Sequence, residues 1–359
     1  MDKVTDFIAT TKSLGIKVAG ASSVMTSAST VNVDSFSQLP FITEDGFECA
    51  FQGLMSKQSI THIYTPHAGV WSFLSELKQQ KPDLYCFLLC EPSPYIEDWL
   101  KFKPSYEWAN LMQREKFVEQ FSSDSDCVRE ALLQGQYASL HKQFTGISGQ
   151  CDDLKLLALA HLIRLIPEGD LVEIGSLSGR SAFAIGWLAK QYRIGNLICV
   201  DPWNIDKIED QGAKAKILNS ELSEGSNVLD FEKIFYSFIG AVSLLDNVGF
   251  IRDISEKAVV HYKSASMQGR LSSSELGEIA LQGKIAMLHI DGNHRYDYVR
   301  KDILAWEPLV MPGGWVLLDD YIWVFGDGPK KAGDELISSG KFDIGFTMSD
   351  TLFLRKRHS

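Results

Sequence analysis

The sequence has 359 residues, of which 45% are hydrophobic and 23% are charged, a composition typical of globular proteins with packed cores. The net charge is −11 and no Lys/Arg run precedes the RKRH near the end, which argues against a nucleic-acid partner. No apolar stretch approaches about 18 residues and no signal-peptide pattern opens the sequence, so we expect a cytoplasmic protein without a membrane partner. The length is enough for two domains.

Residues 1–150 predict an N-terminal auxiliary domain of the α/β class, whose role the sequence does not indicate. The segments ITHIYTP, AGVWSFLSELKQQ and LYCFLLCEP are typical of a strand, a helix and a strand. Helical periodicity then continues through residues 95–144, and TGISGQ at residues 145–150 is typical of a linker. We therefore predict a domain boundary between residues 150 and 151.

Strands and helices alternate through residues 151–359. The apolar runs LVEIG, NLICVDP, VGFIRD, IAMLHID and WVLLDD predict buried strands, and FDIGFTM and DTLFLRKR predict a final hairpin. This alternation indicates an α/β fold with a doubly wound, mostly parallel seven-stranded sheet and an antiparallel edge. Residues 205–247 predict a long helical insertion, for which we hypothesise a lid or a substrate wall.

A glycine-rich turn follows the first of these strands, in the segment EIGSLSGRS. Gly175 and Gly179 permit a tight turn and close approach of a ligand to the backbone, and the next helix offers free N–H groups. The Gly-x-x-x-Gly spacing does not match the dinucleotide fingerprint. However, Asp201 ends the second strand, where a carboxylate can accept hydrogen bonds from ribose hydroxyls. We predict a nucleotide-type cofactor; the alternative is a turn without a ligand, with Asp201 as a helix cap.

Three carboxylates follow two other strands of the same sheet: Asp291 after AMLHI, and Asp319 and Asp320 after WVLL. They should meet at one edge of the sheet and repel one another unless they share a cation. Oxygen ligands favour Mg²⁺, with Mn²⁺ or Ca²⁺ as substitutes. The alternative is that one member of the Asp319–Asp320 pair only caps a turn.

His294 lies three residues after Asp291 in the loop DGNHRYD. A neutral imidazole at this position could accept the proton of an attacking hydroxyl, whereas many loop histidines are solvated or cap a helix. His289 lies inside an apolar strand and is interpreted as a core residue.

Four motifs in order, ExGSxxGRS, VDPW, HIDGNHxYxxVxxD and PGGxxxxDD, resemble class I S-adenosylmethionine-dependent methyltransferases. Within that class, residues 150–359 are most similar to the macrocin and mycinamicin-type metal-dependent sugar O-methyltransferases. The resemblance implies a Rossmann-like methyltransferase fold. It also implies the same metal ligands, Asp291, Asp319 and Asp320, with Asp291 and His294 as the catalytic residues.

The resemblance further implies how the cofactor would be held. Glu173 would lie near the methionine moiety, and Asp201 would bind the ribose. Trp203 would cover the adenine or ribose, unless it is a core residue. Cofactor-binding residues implied in this way are Glu173, Gly175, Ser176, Gly179, Asp201, Trp203, Asp253 and Ser255.

The expected function is metal-dependent O-methylation, in which a methyl group moves from S-adenosylmethionine to a hydroxyl of a sugar or other small oxygen-rich natural product. The alternatives are an S-adenosylmethionine-binding N-methyltransferase and a non-catalytic cofactor-binding or scaffold protein. The expected partner is a small-molecule hydroxyl acceptor, and a homo-oligomer is compatible with the sequence.

Overall fold

The computed structural model describes residues 2–24, 32–90, 94–122, 128–204, 230–322, 324 and 326–358. Contacts between α-carbons divide the chain into two compact units, Met1–Pro104 and Ser105–Ser359. Among the described residues, none of the helices combines the length and the apolarity needed to cross a bilayer.

The division at Pro104 differs from the predicted boundary at 150/151. Residues 105–150 belong by their contacts to the second unit. Tyr137 is fully buried there, and its hydroxyl lies 3.2 Å from the hydroxyl of Tyr192. The apolar faces of these helices therefore cover the second unit, because such faces are buried against whichever neighbour they fit.

The described residues of the first unit form two small parallel strand pairs and three helices. Strand β1 (Ala19–Ser22) pairs with β2 (Ser35–Gln38), and β3 (His62–Ile63) pairs with β4 (Leu88–Leu89). The predicted strand–helix–strand order is confirmed by β3, α3 (Ala68–Gln80) and β4. The helices are α1 (Asp2–Ser13), α2 (Phe47–Gln58) and α3 (Ala68–Gln80), and α4 (Pro94–Arg114) runs across the division between the units.

A seven-stranded sheet forms the centre of the second unit, in the order β12-β13-β11-β10-β5-β6-β7. Five neighbouring strands are parallel, and β13 runs antiparallel to both β11 and β12. The predicted doubly wound sheet with an antiparallel edge is therefore confirmed. The strands are β5 (Asp170–Ile174), β6 (Leu197–Val200), β7 (Val248–Ile251), β10 (Ile285–Ile290), β11 (Val310–Leu318), β12 (Phe342–Met348) and β13 (Thr351–Lys356), and β8 (Arg270–Ser273) with β9 (Gly277–Ala280) forms a separate hairpin.

Helices alternate with these strands along the chain, and the parallel strands are buried along most or all of their length. That burial explains why the strands read as continuous apolar runs rather than as alternating patterns. The helices are α5 (Phe117–Phe121), α6 (Gln134–Thr145), α7 (Asp153–Leu162), α8 (Arg180–Tyr192), α9 (Phe231–Val242), α10 (Ser255–Gln268), α11 (Tyr296–Trp306) and α12 (Gly328–Ser338).

The strand order reverses between β5 and β10. From β5 the chain builds outward through β6 and β7, and β10 then pairs with the other side of β5. A crevice forms at such a reversal, beyond the carboxyl ends of the strands. The glycine-rich turn and the acids at the ends of β10 and β11 lie at this edge.

Candidate active site

Gly175 lies where the end of β5 meets the end of β10. Its φ is +88°, and a Cβ built on it would come within 1.9 Å of the backbone oxygen of Asp291. Only glycine fits this position, both because of the conformation and because of the contact. The glycine-rich turn and the acidic loop after β10 are therefore in direct backbone contact.

Gly179 begins helix α8 and also has a φ of +88°. A Cβ here would lie 3.1 Å from Phe238 and 3.3 Å from Ala241, both in α9. Glycine is therefore required at position 179 for two reasons, the conformation of the turn and the close packing of α9. Ser176 is buried at the same turn. Contact of Gly179 and Ser176 with a cofactor stays a prediction.

Asp201 ties the glycine-rich turn to the end of β6. Its carboxylate accepts hydrogen bonds from the backbone N–H groups of Leu177, at 3.0 Å, and Trp203, at 2.8 Å. Burial raises the pKa of Asp201 to about 6, since the charged form loses solvation. A carboxylate has about four lone-pair directions, so two backbone donors leave acceptor capacity for a ribose hydroxyl.

Trp203 lies in the core, which was one of its two sequence interpretations. It is 1% exposed, and its ring packs 5.2 Å from that of Phe235 and 4.6 Å from that of Phe238. Its Nε1 donates to the backbone oxygen of Leu177 at 2.7 Å, which satisfies the buried indole. The structure thus places Trp203 beneath the turn.

Part of the predicted insertion at 205–247, residues 205–229, lies outside the described residues. The rest forms α9, whose residues Phe235 and Phe238 pack against Trp203. One face of the described part of the insertion therefore packs into the core, and the rest of the segment for which we hypothesised a lid, residues 205–229, lies outside the described residues.

Asp253 and Ser255 lie after β7, at the start of α10. Asp253 Oδ1 accepts from the backbone N–H of Ile254 at 2.9 Å, and Ser255 Oγ accepts from Trp306 Nε1 at 2.9 Å. Both are half-buried. These contacts stabilise the beginning of the helix, and the predicted contact with adenine stays a prediction.

Glu173 is fully buried in β5 and faces β10. Its Oε1 lies 3.1 Å from Nδ1 of His289, which is also fully buried. Oε2 of Glu173 and Nε2 of His289 have no hydrogen-bond partner among the described residues. His289 is thus more than the core residue suggested by the sequence, because it joins Glu173 to the acids at the strand ends.

The structure brings the three predicted metal ligands together, but in two groups, each completed by a histidine. Within each group, one nitrogen or oxygen atom per residue lies within 4.8 Å of the others. Asp291 belongs to both groups. The inner group is His289, Asp291 and Asp319, and the outer group is Asp291, His294 and Asp320.

Lys155, which sequence reasoning missed, inserts its ammonium into the inner group. It is 2% exposed, donates to Asp319 Oδ2, and lies 3.9 Å from Asp291 Oδ2. Burial alone would lower the pKa of Lys155, but the charges of Asp319 and Asp291 outweigh it and raise that pKa. The one sequence signal was a lysine within the apolar helical run DLKLLALAHL.

Asp319 is held on both of its oxygens. Lys155 occupies Oδ2, and the hydroxyl of Thr351 donates to Oδ1. Burial would raise the pKa of Asp319, but the neighbouring ammonium dominates and holds that pKa below its usual range. Asp319 is therefore ionised and fixed in position.

His294 pairs with the other acid of the doublet. Its Nε2 lies 2.6 Å from Asp320 Oδ2 and 3.9 Å from Asp291 Oδ1. Burial would lower the pKa of His294, but the two carboxylates raise it to about 10. The side chains of the outer group are 15–26% exposed, so a ligand can reach them.

Residues 172–321 match a family model described as a methyltransferase domain. The chain contains a methyltransferase domain. The match begins in β5 and ends just after Asp320, so it includes both the glycine-rich turn and the acidic groups. The predicted class of enzyme is confirmed.

Several solved structures are similar to this chain. The O-methyltransferase NovP is 18% identical over 70% of this chain and 99% of its own, with a TM-score of 0.38. TomG, an O-methyltransferase from Streptomyces achromogenes solved with SAM, is 14% identical over 69% of this chain and 98% of its own, with a TM-score of 0.38. MycE, a methyltransferase of the mycinamycin pathway solved with Mg and SAH, is 16% identical over 54% of this chain and 46% of its own, with a TM-score of 0.30.

No similar sequence was found among curated proteins. Since the TM-scores are below 0.5, the assignment of the methyltransferase domain rests on the family match and on the observed sheet order.

Proposed function

We propose that the methyltransferase domain transfers a methyl group from S-adenosylmethionine to a hydroxyl of a sugar or another small, oxygen-rich molecule, with the help of a divalent cation. The observation that carries this proposal is the outer group, Asp291, His294 and Asp320. It lies at the strand edge where Gly175 contacts the loop after β10. A proton acceptor and oxygen ligands for a hard cation are thus adjacent to the cofactor turn.

The residues at the turn fit S-adenosylmethionine. Gly175 lets the turn lie directly against the backbone of the loop after β10, and Asp201 keeps acceptor capacity after binding two backbone N–H groups. Oε2 of Glu173 is buried without a hydrogen-bond partner among the described residues. S-adenosylmethionine supplies an electrophilic sulfonium methyl group. The chain has to orient that methyl group, place the acceptor in line with it and exclude water.

The outer group fits a divalent cation such as Mg²⁺, Mn²⁺ or Ca²⁺. Burial, together with the negative charge of Asp319, raises the pKa of Asp291 well above its usual value. Such a shift marks a carboxylate whose charge the surrounding protein does not offset. Asp291 and Asp320 would hold the ion, which would supply charge stabilisation for a developing alkoxide. Asp319, the third predicted ligand, is occupied by Lys155 and Thr351.

His294 is the proposed proton acceptor, at Nε2. With its pKa raised to about 10 by the neighbouring carboxylates, the imidazole is protonated at neutral pH in the described surroundings. A base has to be unprotonated. The role therefore requires that another positive charge offset Asp291 and Asp320.

A hydroxyl with a neighbouring oxygen is the acceptor that this group suits best. Two acceptor oxygens can share a cation with Asp291 and Asp320, which fixes the attacking hydroxyl in position. This preference, together with the motif resemblance, supports a sugar or other polyhydroxylated acceptor over an amine.

The test is incubation of the full chain with S-adenosylmethionine and a panel of glycosides, phenols and amines, with Mg²⁺ or with a chelator. Mass spectrometry should show one added methyl group on a hydroxylated acceptor, and the chelator should abolish it. Methylation of amines alone, or of no acceptor, would contradict the proposal.

Variants connect the activity to the site. His294→Ala should lower kcat by about 10²–10⁴-fold, and Asp320→Asn should abolish the dependence on Mg²⁺ together with the activity. Asp297→Asn is the matched control because Asp297 is exposed in the first turn of α11. Asp297→Asn should leave both kcat and the dependence on Mg²⁺ unchanged.

A further inference from the structure

Lys155 is fixed in the first turn of α7. The side chain of Asp152 caps this helix by accepting from the backbone N–H of Lys155 at 2.8 Å. The ammonium at the other end of the same residue donates to Asp319 Oδ2 and lies 3.9 Å from Asp291 Oδ2. Both ends of Lys155 are therefore held, and its charge occupies a defined place among the acids.

That place is built like a metal site. The inner group presents a ring nitrogen of His289 and one oxygen each of Asp291 and Asp319, all within 4.8 Å of one another. His289 pairs through Nδ1 with Glu173 at 3.1 Å. A carboxylate behind a histidine is the usual support for a metal-binding imidazole.

His289 Nε2 is the observation that separates this group from an ordinary acidic cluster. The side chain is fully buried, and Nε2 has no hydrogen-bond partner among the described residues. Since Nδ1 faces Glu173, Nε2 is the nitrogen left for a ligand. Among the described residues, the ammonium of Lys155 is the cation that lies beside both inner acids, Asp291 and Asp319.

We propose that Lys155 is a built-in cation that takes the place of a second metal ion, so that the methyltransferase domain binds one divalent ion, in the outer group. Without the ammonium, His289, Asp291 and Asp319 become a second metal site. In the inner group the ammonium and a divalent ion would have to share both Asp319 and Asp291 within a largely buried site, where the two cations repel each other. The inner site therefore stays closed to metal while Lys155 is present.

The ligand chemistry predicts which ions the opened site takes. One imidazole and two carboxylates suit Mn²⁺, Co²⁺ or Zn²⁺ better than Mg²⁺ or Ca²⁺, which prefer oxygen ligands only. The inference about the outer ion rests on the proposed function, whereas the inference about the inner site depends on Lys155 and His289 alone.

The experiment is to count Mn²⁺ ions bound per full chain by equilibrium dialysis and electron paramagnetic resonance, without cofactor or acceptor. The natural chain should bind one ion and Lys155→Met should bind two. The double variant Lys155→Met/His289→Gln should bind one again. Two variants serve as controls and should bind one ion: Lys155→Arg keeps the buried charge, and Lys190→Met removes an exposed lysine that pairs with Asp246.

The outcomes separate the two proposals. If Lys155→Met binds the same number of ions as the natural chain, the built-in cation is refuted. If the natural chain binds none and Lys155→Met binds one that is lost with His289→Gln, the inner site stands and the metal dependence in the proposed function fails.

Loss of the ammonium also leaves the negative charges of the carboxylates unbalanced, so Lys155→Met should be purified in the presence of Mn²⁺. A second measurement uses the natural chain alone: anomalous diffraction from crystals soaked in Mn²⁺. A single peak beside Asp291 and Asp320 supports the proposal. A peak bonded to Asp319 and His289, with Lys155 displaced, overturns it.

Discussion

The backbone of Gly175 lies against the carbonyl of Asp291, so closely that an added methyl group would come within 1.9 Å of that oxygen. These residues are 116 positions apart in the sequence and belong to the two motifs with separate predicted roles. The first is predicted to bind the cofactor and the second to hold a cation. Their contact means that a change in one motif is transmitted to the other through the backbone.

Gly175→Ala should lower the free energy of unfolding by about 2 kcal/mol or more, because it combines a strained φ with overpacking. Chemical denaturation of the cofactor-free protein measures this. Gly240→Ala is the matched control, since a Cβ at Gly240, in α9, would meet no atom within 4 Å. It should stabilise the protein by up to about 1 kcal/mol. If the two variants changed the free energy of unfolding equally, the close contact between Gly175 and the carbonyl of Asp291 would be contradicted.

Asp201→Asn should reduce both stability and cofactor affinity. The carboxylate accepts from two backbone N–H groups on different oxygens, whereas an amide would turn an NH₂ group toward one of them. Leaving that donor unsatisfied costs about 1–3 kcal/mol. Denaturation and calorimetry with S-adenosylmethionine measure the two effects.

The control for Asp201 is Asp230→Asn. Asp230 caps α9 through Oδ1, which accepts from the backbone N–H of Lys233, and its Oδ2 forms an exposed ion pair with the ammonium of the same lysine. Asparagine is as good a cap as aspartate, so this variant should be nearly neutral. If both variants lost stability to a comparable extent, the removed negative charge, and not the two backbone hydrogen bonds of Asp201, would explain the loss.

Trp203→Ala should destabilise the cofactor-free protein by about 3–5 kcal/mol, as expected for a fully buried tryptophan. Tyr236→Ala, at a position 61% exposed on α9, should cost less than about 1 kcal/mol. Thermal denaturation without cofactor is the measurement. Normal stability combined with weak cofactor binding would instead assign Trp203 to the cofactor.

Asp302→Asn should change how stability depends on pH. Burial raises the pKa of Asp302 to about 7, from an ordinary value of 3.8. Between pH 3.8 and about 7 the folded state binds more protons than the unfolded state. The contribution of Asp302 to the free energy of unfolding is therefore fully present at low pH and is lost as the pH rises toward 7. The variant should therefore be more stable than the natural chain by about 1–3 kcal/mol at pH 8, and nearly equal to it at pH 4.

Urea denaturation at several pH values tests this. Asp297→Asn is again the control, because Asp297 lies in the same helix but is exposed. Its stability should follow that of the natural chain at every pH. An unchanged pH dependence in Asp302→Asn would show that Asp302 is not the group responsible.

The sheet and the position of the acids were predictable from the sequence because buried parallel strands give continuous apolar runs. An acid directly after such a run must lie at the carboxyl edge. That reasoning located Asp291, Asp319 and Asp320 correctly at one edge. It could not divide them into two groups, since the division depends on side-chain direction and on His289.

Lys155 was not predictable for a different reason. A lysine in a helix usually extends into solvent, and its partner Asp319 is 164 residues away. The contacts divide the chain at Pro104 rather than between residues 150 and 151, a difference with a similar origin: periodicity shows that a helix has an apolar face, but not which surface that face covers.

Thr351 connects the last strand of the sheet to the inner group of acids. It opens β13, which is later in the chain than every other strand and yet lies between β11 and β12 in the sheet. Its hydroxyl holds Asp319. During synthesis, the ribosome must therefore release the whole of β13 before this carboxylate acquires its final environment. A nascent chain halted before Thr351 would carry both sequence motifs but would lack the hydroxyl that holds Asp319.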